Sequence, residues 1–289
     1  MATTFKTFAN NDTATTRTLL HESIPITGSI VSGTYNDLNI KNYAHGMFQS
    51  VYDYPYLSSS ANHIFDITVG VSADSEYTSN LTGTNSQKTK KRNIYDQMAQ
   101  TLVPYDISGN IQQFDKDGNI LAGGYKWHEA MFLNFSRLLS KDEIKKGEFT
   151  MTFFTGSLLK QGGYTGDMLT LGDYGATASF RVNTPTGEYG LLYTSSATPQ
   201  ADGSSPVGHL YYQAGVAVIT PYIFTNNPIA SGSVTSGSEF GRPGASYVTA
   251  SFQDVLVTSS IEAFADGVRN RLYNIQFSNT TELNSTIYF

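Results

Sequence analysis

The sequence predicts a mainly β protein, with an antiparallel β-sandwich or barrel-like core and two short α-helices. Three observations carry this. Short runs alternate apolar and polar residues, turn formers cluster between the runs, and only two stretches hold apolar residues at helical spacing. The chain has 289 residues, enough to bury a large core as one β-domain or as a main domain with a smaller attachment. The pattern divides into an amino-terminal arm over 1–22 and a β-rich structural domain over 23–289.

The first run after the arm places Ile24, Ile26 and Ile30 at even spacing, punctuated by Gly28 and Gly33, and predicts an extended lead-in. From His63 the alternation is clean. Phe65, Ile67, Val69 and Val71 share one face and Ile64, Asp66, Thr68 and Gly70 the other, which predicts a half-buried strand. Residues 72–89 lose periodicity and read as an exposed loop. Ile94, Tyr95, Met98 and Leu102 then follow helical spacing with Pro104 just beyond, predicting a helix over about 91–102.

Asp115-Lys116-Asp117-Gly118-Asn119 lies between apolar residues and predicts a hairpin across Phe114–Leu121. Met131, Leu133 and Phe135 share a strand face. Ser140-Lys141-Asp142-Glu143 matches a capping box ahead of a helical turn that stops at Gly147. Phe149, Met151 and Phe153 resume a period of two, and 178–193 reads as a hairpin turning at Pro185-Thr186-Gly187. Leu210–Phe224 is one longer apolar run in which Pro221 marks an edge or bulge, flanked by loops at 196–208 and 226–246. Ser259 or Ser260 caps a helix to about residue 271, with Ile261, Phe264, Ala265, Val268 and Leu272 in one stripe. Tyr273, Ile275 and Phe277 then read as a strand, 278–281 as a turn, and Leu283, Ser285, Ile287 and Phe289 as a last strand in need of a partner.

Composition narrows the function. Only 15% of residues are charged, against about 25% in an average soluble domain. A surface of hydroxyls and amides suits broad, wet protein contacts and leaves strand edges weakly guarded. The formal charge of −6 argues against a nucleic-acid partner. The basic cluster Lys88, Lys90, Lys91 and Arg92 reads as a solvated linker ahead of the helix. There are no cysteines, which excludes disulfides, thiolate metal sites and cysteine nucleophiles. The segment Met1–Asp12 is polar and lacks the apolar core of a signal peptide. No stretch approaches the ~20 apolar residues of a membrane span, so no membrane partner is expected.

Candidate chemistry is sparse. Asp115, Asp117 and Asn119 resemble the first half of a calcium loop, but the twelfth position holds Lys126 where Glu is needed, so a structural turn is the favoured reading and no metal is assigned. The five histidines, His21, His45, His63, His128 and His209, show no i, i+4 pair and read as packing or hydrogen-bonding residues. No nucleophile elbow or phosphate loop occurs, so no catalytic residue and no cofactor is assigned. Tyr52-Asp53-Tyr54-Pro55-Tyr56 is an aromatic cluster, since Tyr offers large contact area at low entropy cost. Core packing and partner docking explain it equally well, with glycan contact third. The expected interface residues are Tyr52, Tyr54, Tyr56, Leu283, Ile287 and Phe289.

Several collinear strings add a family resemblance. His45-Gly46-Met47-Phe48-Gln49-Ser50-Val51-Tyr52-Asp53-Tyr54-Pro55-Tyr56-Leu57, the stretch Leu138–Gly147, Gly187-Glu188-Tyr189-Gly190, and Tyr273–Phe277 running on to Leu283–Phe289 resemble the virion structural proteins of contractile-tailed phages that infect marine cyanobacteria. The likeness spans Phe5 to Phe289. It implies a non-enzymatic component of a tailed phage particle, at the tail or baseplate, with the neck next and a receptor- or glycan-binding tail-fibre adhesin as the rival. It implies other virion proteins and copies of the chain itself as partners. It also implies further β-structure beyond Ile287-Tyr288-Phe289, so the carboxyl-terminal part reads as incomplete.

Overall fold

The computed structural model describes residues 9, 12–26, 39–75, 86–120, 123–154, 158–159, 163–164, 168–194, 206–224, 256 and 259–288. Phe289, Leu121, residues 76–85 and the predicted loop 226–246 lie outside these. In chain order, the amino-terminal strands are β1 (Thr13–Ile26), β2 (Ile40–Asn42), β3 (Gln49–Tyr52) and β4 (His63–Val71). Helix α1 (Ser86–Leu102) separates them from β5 (Phe114–Asp115), β6 (Lys126–Trp127) and β7 (Glu129–Phe135). A four-residue helical turn, α2 (Arg137–Ser140), leads to β8 (Glu143–Ile144), β9 (Thr150–Phe154) and the small pair β10 (Leu158–Leu159) and β11 (Gly163–Tyr164). Next come β12 (Met168–Gly172), β13 (Arg181–Thr184), β14 (Gly187–Leu192), β15 (Gly208–Tyr211) and β16 (Val216–Ile219). Helix α3 (Ile261–Arg271) runs into β17 (Leu272–Tyr288).

The predicted class is the one observed, mainly β with antiparallel sheets around a sandwich-like core. The larger sheet runs β13-β14-β15-β16-β7-β4-β3-β2, and the smaller runs β1-β17-β9-β12 with β8 beside β17. Their facing sides close on aromatic rings. Phe135 of β7 lies 5.8 Å from Phe149 and 5.3 Å from Phe277 of β17 between ring centroids. On its other side β7 is covered as well, where Phe132 sits 5.6 Å from Phe114, and Phe114 sits 5.5 Å from Tyr95 of α1. Cover on both faces explains why Glu129–Phe135 is apolar almost throughout rather than alternating.

Strand β4 and helix α3 match the pattern read from sequence, and Ser260 caps α3 by accepting from the Ala263 amide at 3.0 Å. Five local readings are corrected. Helix α1 begins a turn earlier, at Ser86, so the basic cluster lies inside it rather than in a linker. Tertiary partners hold that extra turn: Lys90 Nζ donates to the His45 carbonyl at 2.6 Å, and Lys91 Nζ to the carbonyls of Leu256 and Ser259 at 2.5 and 2.7 Å. The hairpin from Phe114 returns at Lys126–Trp127, past a longer connection than the turn formers suggested.

The helical turn precedes the capping-box string instead of following it, because Lys141 ends it at φ +53° and residues 142–145 run along β17, with the Asp142 and Lys145 amides donating to the carbonyls of Thr280 and Ser278. The apolar run Leu210–Phe224 folds back at Gly215 (φ +66°) into the β15–β16 pair, and Pro221 opens a 3-10 turn. Finally, 278–281 is no turn. Asn279 Nδ2 donates to the Leu139 carbonyl at 2.7 Å and Thr280 accepts from Asp142, so these polar residues find partners as part of one 17-residue strand.

Gly70 fixes how closely α1 approaches the larger sheet, since a Cβ there would stand 2.8 Å from the Tyr95 backbone nitrogen. Backbone cannot yield as a side-chain tip can. Gly70→Ala is therefore expected to lower stability by about 1–3 kcal/mol. Urea unfolding checks this, and an unchanged midpoint would contradict the contact.

Candidate interaction surfaces

The smaller sheet's inner face outruns its cover. β1 pairs with β17 without a register break from Thr13↔Tyr288 to Ile26↔Ile275. Along the inner half β17 is flanked by β9 and β8, but the last pairing with β8 is at Thr280 and Asn279. Beyond it, residues 13–20 and 281–288 form a ribbon of two strands, eight residue pairs long, about 27 Å at ~3.4 Å per residue. Among the described residues no third strand joins it.

Directly opposed residues share a face in an antiparallel pair, so the register sorts the ribbon's side chains. One face carries Ala14, Thr16, Thr18 and Leu20 with Thr281, Leu283, Ser285 and Ile287, and no charge. It continues the face that, inside the body, bears the core residues Phe277 and Ile275. The opposite face carries the Arg17–Glu282 ion pair, a Thr15–Thr286 hydroxyl contact at 3.4 Å and Asn284. Leu20, Leu283 and Ile287 are each about half exposed, at 50%, 50% and 51%. The chain thus presents uncharged inner-face chemistry to solvent.

A second surface lies at the β2–β3–β4 edge. Tyr52 is half-buried, with ring centroids 6.3 Å from Tyr56 and 5.5 Å from His63, while Tyr54 and Tyr56 are exposed. The cluster is therefore a surface feature with one ring anchored. Below it a polar relay links Tyr43, Ser50, Asp66 and His63: the Tyr43 hydroxyl lies 3.1 Å from Ser50 Oγ, which donates to Asp66 Oδ1 at 2.5 Å, and His63 Nε2 lies 2.8 Å from the same oxygen. Tyr43 also stacks on His45 at 5.2 Å, and Phe48 closes the group at 4.9 and 5.0 Å from the two rings. His45 packs as an aromatic ring, in line with the packing role read from sequence, whereas sequence reasoning does not single out Tyr43, because the Tyr43–Phe48 spacing follows neither a strand nor a helix. Between this group and α1 runs an open groove of about 390 Å³, floored by Met47, Phe48, Ile94, Met98 and Phe132.

The structure brings the expected interface residues into two places, not one. Tyr52, Tyr54 and Tyr56 sit on the larger sheet's edge, Leu283 and Ile287 on the ribbon, and Phe289 is outside the described residues. The arm predicted over 1–22 is a β-strand from Thr13 onward. The terminal strand 283–288 is paired, with residues 13–18 of the same chain, which corrects the expectation of an open strand there. The candidate cation turn is filled from within: the Lys126 ammonium ion-pairs with the buried Asp115 carboxylate, and Asn119 Nδ2 donates to Asp117 Oδ2 at 2.6 Å. Among the described residues no group of three His, Asp or Glu side chains could hold a metal.

Two buried ionisable groups act as clasps. Burial pulls the Lys91 ammonium down to about 7. Burial pushes the Asp173 carboxyl up to about 6, although it accepts from the Gly147 amide at 2.7 Å, the Phe149 amide at 3.0 Å and the Tyr212 hydroxyl at 3.0 Å. Asp173 thereby ties the start of β9 to the β15–β16 turn, one from each sheet.

Among the described residues the chain is an antiparallel β-sandwich-like body that carries a two-stranded ribbon, an aromatic edge and an open groove. No family model matches the chain, and neither the curated proteins nor the solved structures give a match.

Asp173 holds its proton more tightly folded than unfolded, so its protonated form adds stability that is fully present below about pH 4 and lost as pH rises through about 6. Asp173→Asn removes that dependence. The stability gap between wild type and variant should shrink by up to about 3 kcal/mol from pH 4 to pH 7. Urea titrations at the two pH values measure it, and a gap independent of pH would refute the assignment.

Proposed function

We propose that this chain is a non-enzymatic structural component of a tailed bacteriophage particle, at the tail or baseplate, and that it works through assembly contacts with other virion proteins and with copies of itself. The observation that carries the assembly part is the ribbon. Two strands standing alone in water are marginally stable at best, and this pair exposes Leu20, Leu283 and Ile287 on an uncharged face continuous with the core. A surface of that kind persists when something covers it. The phage part rests on the collinear strings that resemble cyanophage virion proteins. The low charge content, 15%, fits a particle subunit, whose localisation would be the virion.

The neck is the alternative position within the same reading. An adhesin is the second reading, and one observation favours it: the rings of Tyr43, Tyr52, Tyr54 and Tyr56 gather near an exposed sheet edge, a surface suited to docking a receptor or a glycan.

Deleting residues 283–289 tests the assembly reading, because the described part of this segment is exposed and pairs only with β1. The truncated chain should keep its β-rich circular dichroism and cooperative melting yet be missing from purified particles probed with an antibody to the chain. Incorporation of the truncated chain at the wild-type level would overturn the reading. Binding of the isolated chain to host envelope glycans, lost on Tyr54→Ala, would favour the adhesin instead.

A further inference from the structure

We propose that the outer edge of β1 is a self-association edge, at which two copies of this chain pair β1 against β1 antiparallel about a two-fold axis and join their smaller sheets into one. This rests on the assembly reading and adds the edge and the pairing by which copies meet.

Exposed sheet edges are ordinarily guarded by shortness, bulges, proline or outward charges. β1 has little of this. It is 14 residues long with unbroken register, and in the sheet order it stands at the end with no described strand beyond it. Pro25 lies at its far end, one residue from the last. The polar side chains that could guard the edge are turned the other way, over β17. Arg17 pairs with Glu282, His21 Nδ1 lies 3.2 Å from Thr280 Oγ1, and Asn279 accepts from the Glu22 amide at 3.2 Å while its Nδ2 reaches Glu22 Oε2 at 3.5 Å. What faces outward is backbone, flanked mostly by threonine and leucine, while the exposed Arg17, His21 and Glu22 are engaged on β17.

A second copy fits that edge. A two-fold axis perpendicular to the sheet keeps each face on its own side, so the uncharged face of one ribbon continues into the uncharged face of the other. With the axis at Leu19, Arg17 of one copy opposes His21 of the other and Leu19 opposes itself, and no like-charged pair of Arg, Lys, Asp or Glu is brought together. Size supports the match. Fourteen residues at ~3.4 Å make an edge about 48 Å long, and with a sheet about 10 Å thick the contact is on the order of 1,000 Å² over both copies, the lower bound of a specific interface.

Leu19 and Leu20 flank the middle of the strand and are about half exposed, at 47% and 50%, so lysines there leave the monomer's core untouched, while the one at position 19 meets its own copy across the axis and the one at position 20 faces Thr18 of the other copy beside it. Sedimentation velocity of the full chain at about 1–200 μM should show a monomer–dimer equilibrium, and L19K/L20K should weaken it at least tenfold. Mixing L19K/L20K with L19E/L20E should restore a heterodimer, a result that only contact of this edge with itself produces. A chain that stays monomeric across the range, or a double-lysine variant that dimerises as wild type does, overturns the proposal. A monomeric chain that still enters particles sinks this inference and leaves the virion reading standing. A dimer absent from particles does the reverse.

Discussion

The aromatic seam between the sheets, Phe135 against Phe149 and Phe277, is the constraint on which the rest of the molecule depends. Each ring comes from a different segment, the end of β7, the lead-in to β9, and β17. Packing them together sets the spacing of the two sheets and fixes where β17 enters the body. Once Phe277 and Ile275 are buried, the period of two along an extended strand dictates the faces of everything beyond. Leu283 and Ile287 must then share the inner face, although nothing described lies over them. The exposed ribbon is thus a consequence of the seam, with one strand sealing the core at one end and presenting contact surface at the other.

Polar groups in the interior serve this architecture as ties. Asp173 gathers two amides and a tyrosine hydroxyl from the two sheets, and Lys91 reaches back to two carbonyls next to the start of α3. Both bear the cost of burial in shifted ionisation. The shifts run in opposite windows, Asp173 losing its contribution as pH rises through about 6 and Lys91 being relieved of its charge as pH rises above about 7. His209, pulled down to about 3 by burial among Trp127, Tyr189 and Tyr211, is neutral through both windows and packs as an aromatic ring.

How much of this the sequence discloses depends on range. The alternation in His63–Val71 and the stripe Ile261, Phe264, Ala265, Val268 are local signals, and both elements lie where they point. The extra turn of α1 is not local. Its residues show no apolar periodicity, and what holds them is contact with His45, Leu256 and Ser259. The same holds for 278–281, whose Ser-Asn-Thr-Thr composition reads as a turn until Leu139 and Asp142 supply partners more than a hundred residues away. Half of the candidate interface was legible, since Tyr52–Tyr56 and 283–288 stand out as aromatic and alternating. That the carboxyl-terminal strand pairs with the amino-terminal arm was not, because Thr-rich segments such as 13–18 carry little pattern to mark a strand.

On the proposed reading, the ribbon draws its order from a covering partner more than from the isolated fold. Amide hydrogen exchange, read residue by residue on the dilute chain and again on the chain within particles, tests it most directly. Slow exchange is expected in β4, β7 and β9 in both states, and fast exchange at residues 13–20 and 281–288 in the dilute chain that becomes slow in the particle. Ribbon amides protected in the dilute monomer as strongly as those of β4 would contradict it.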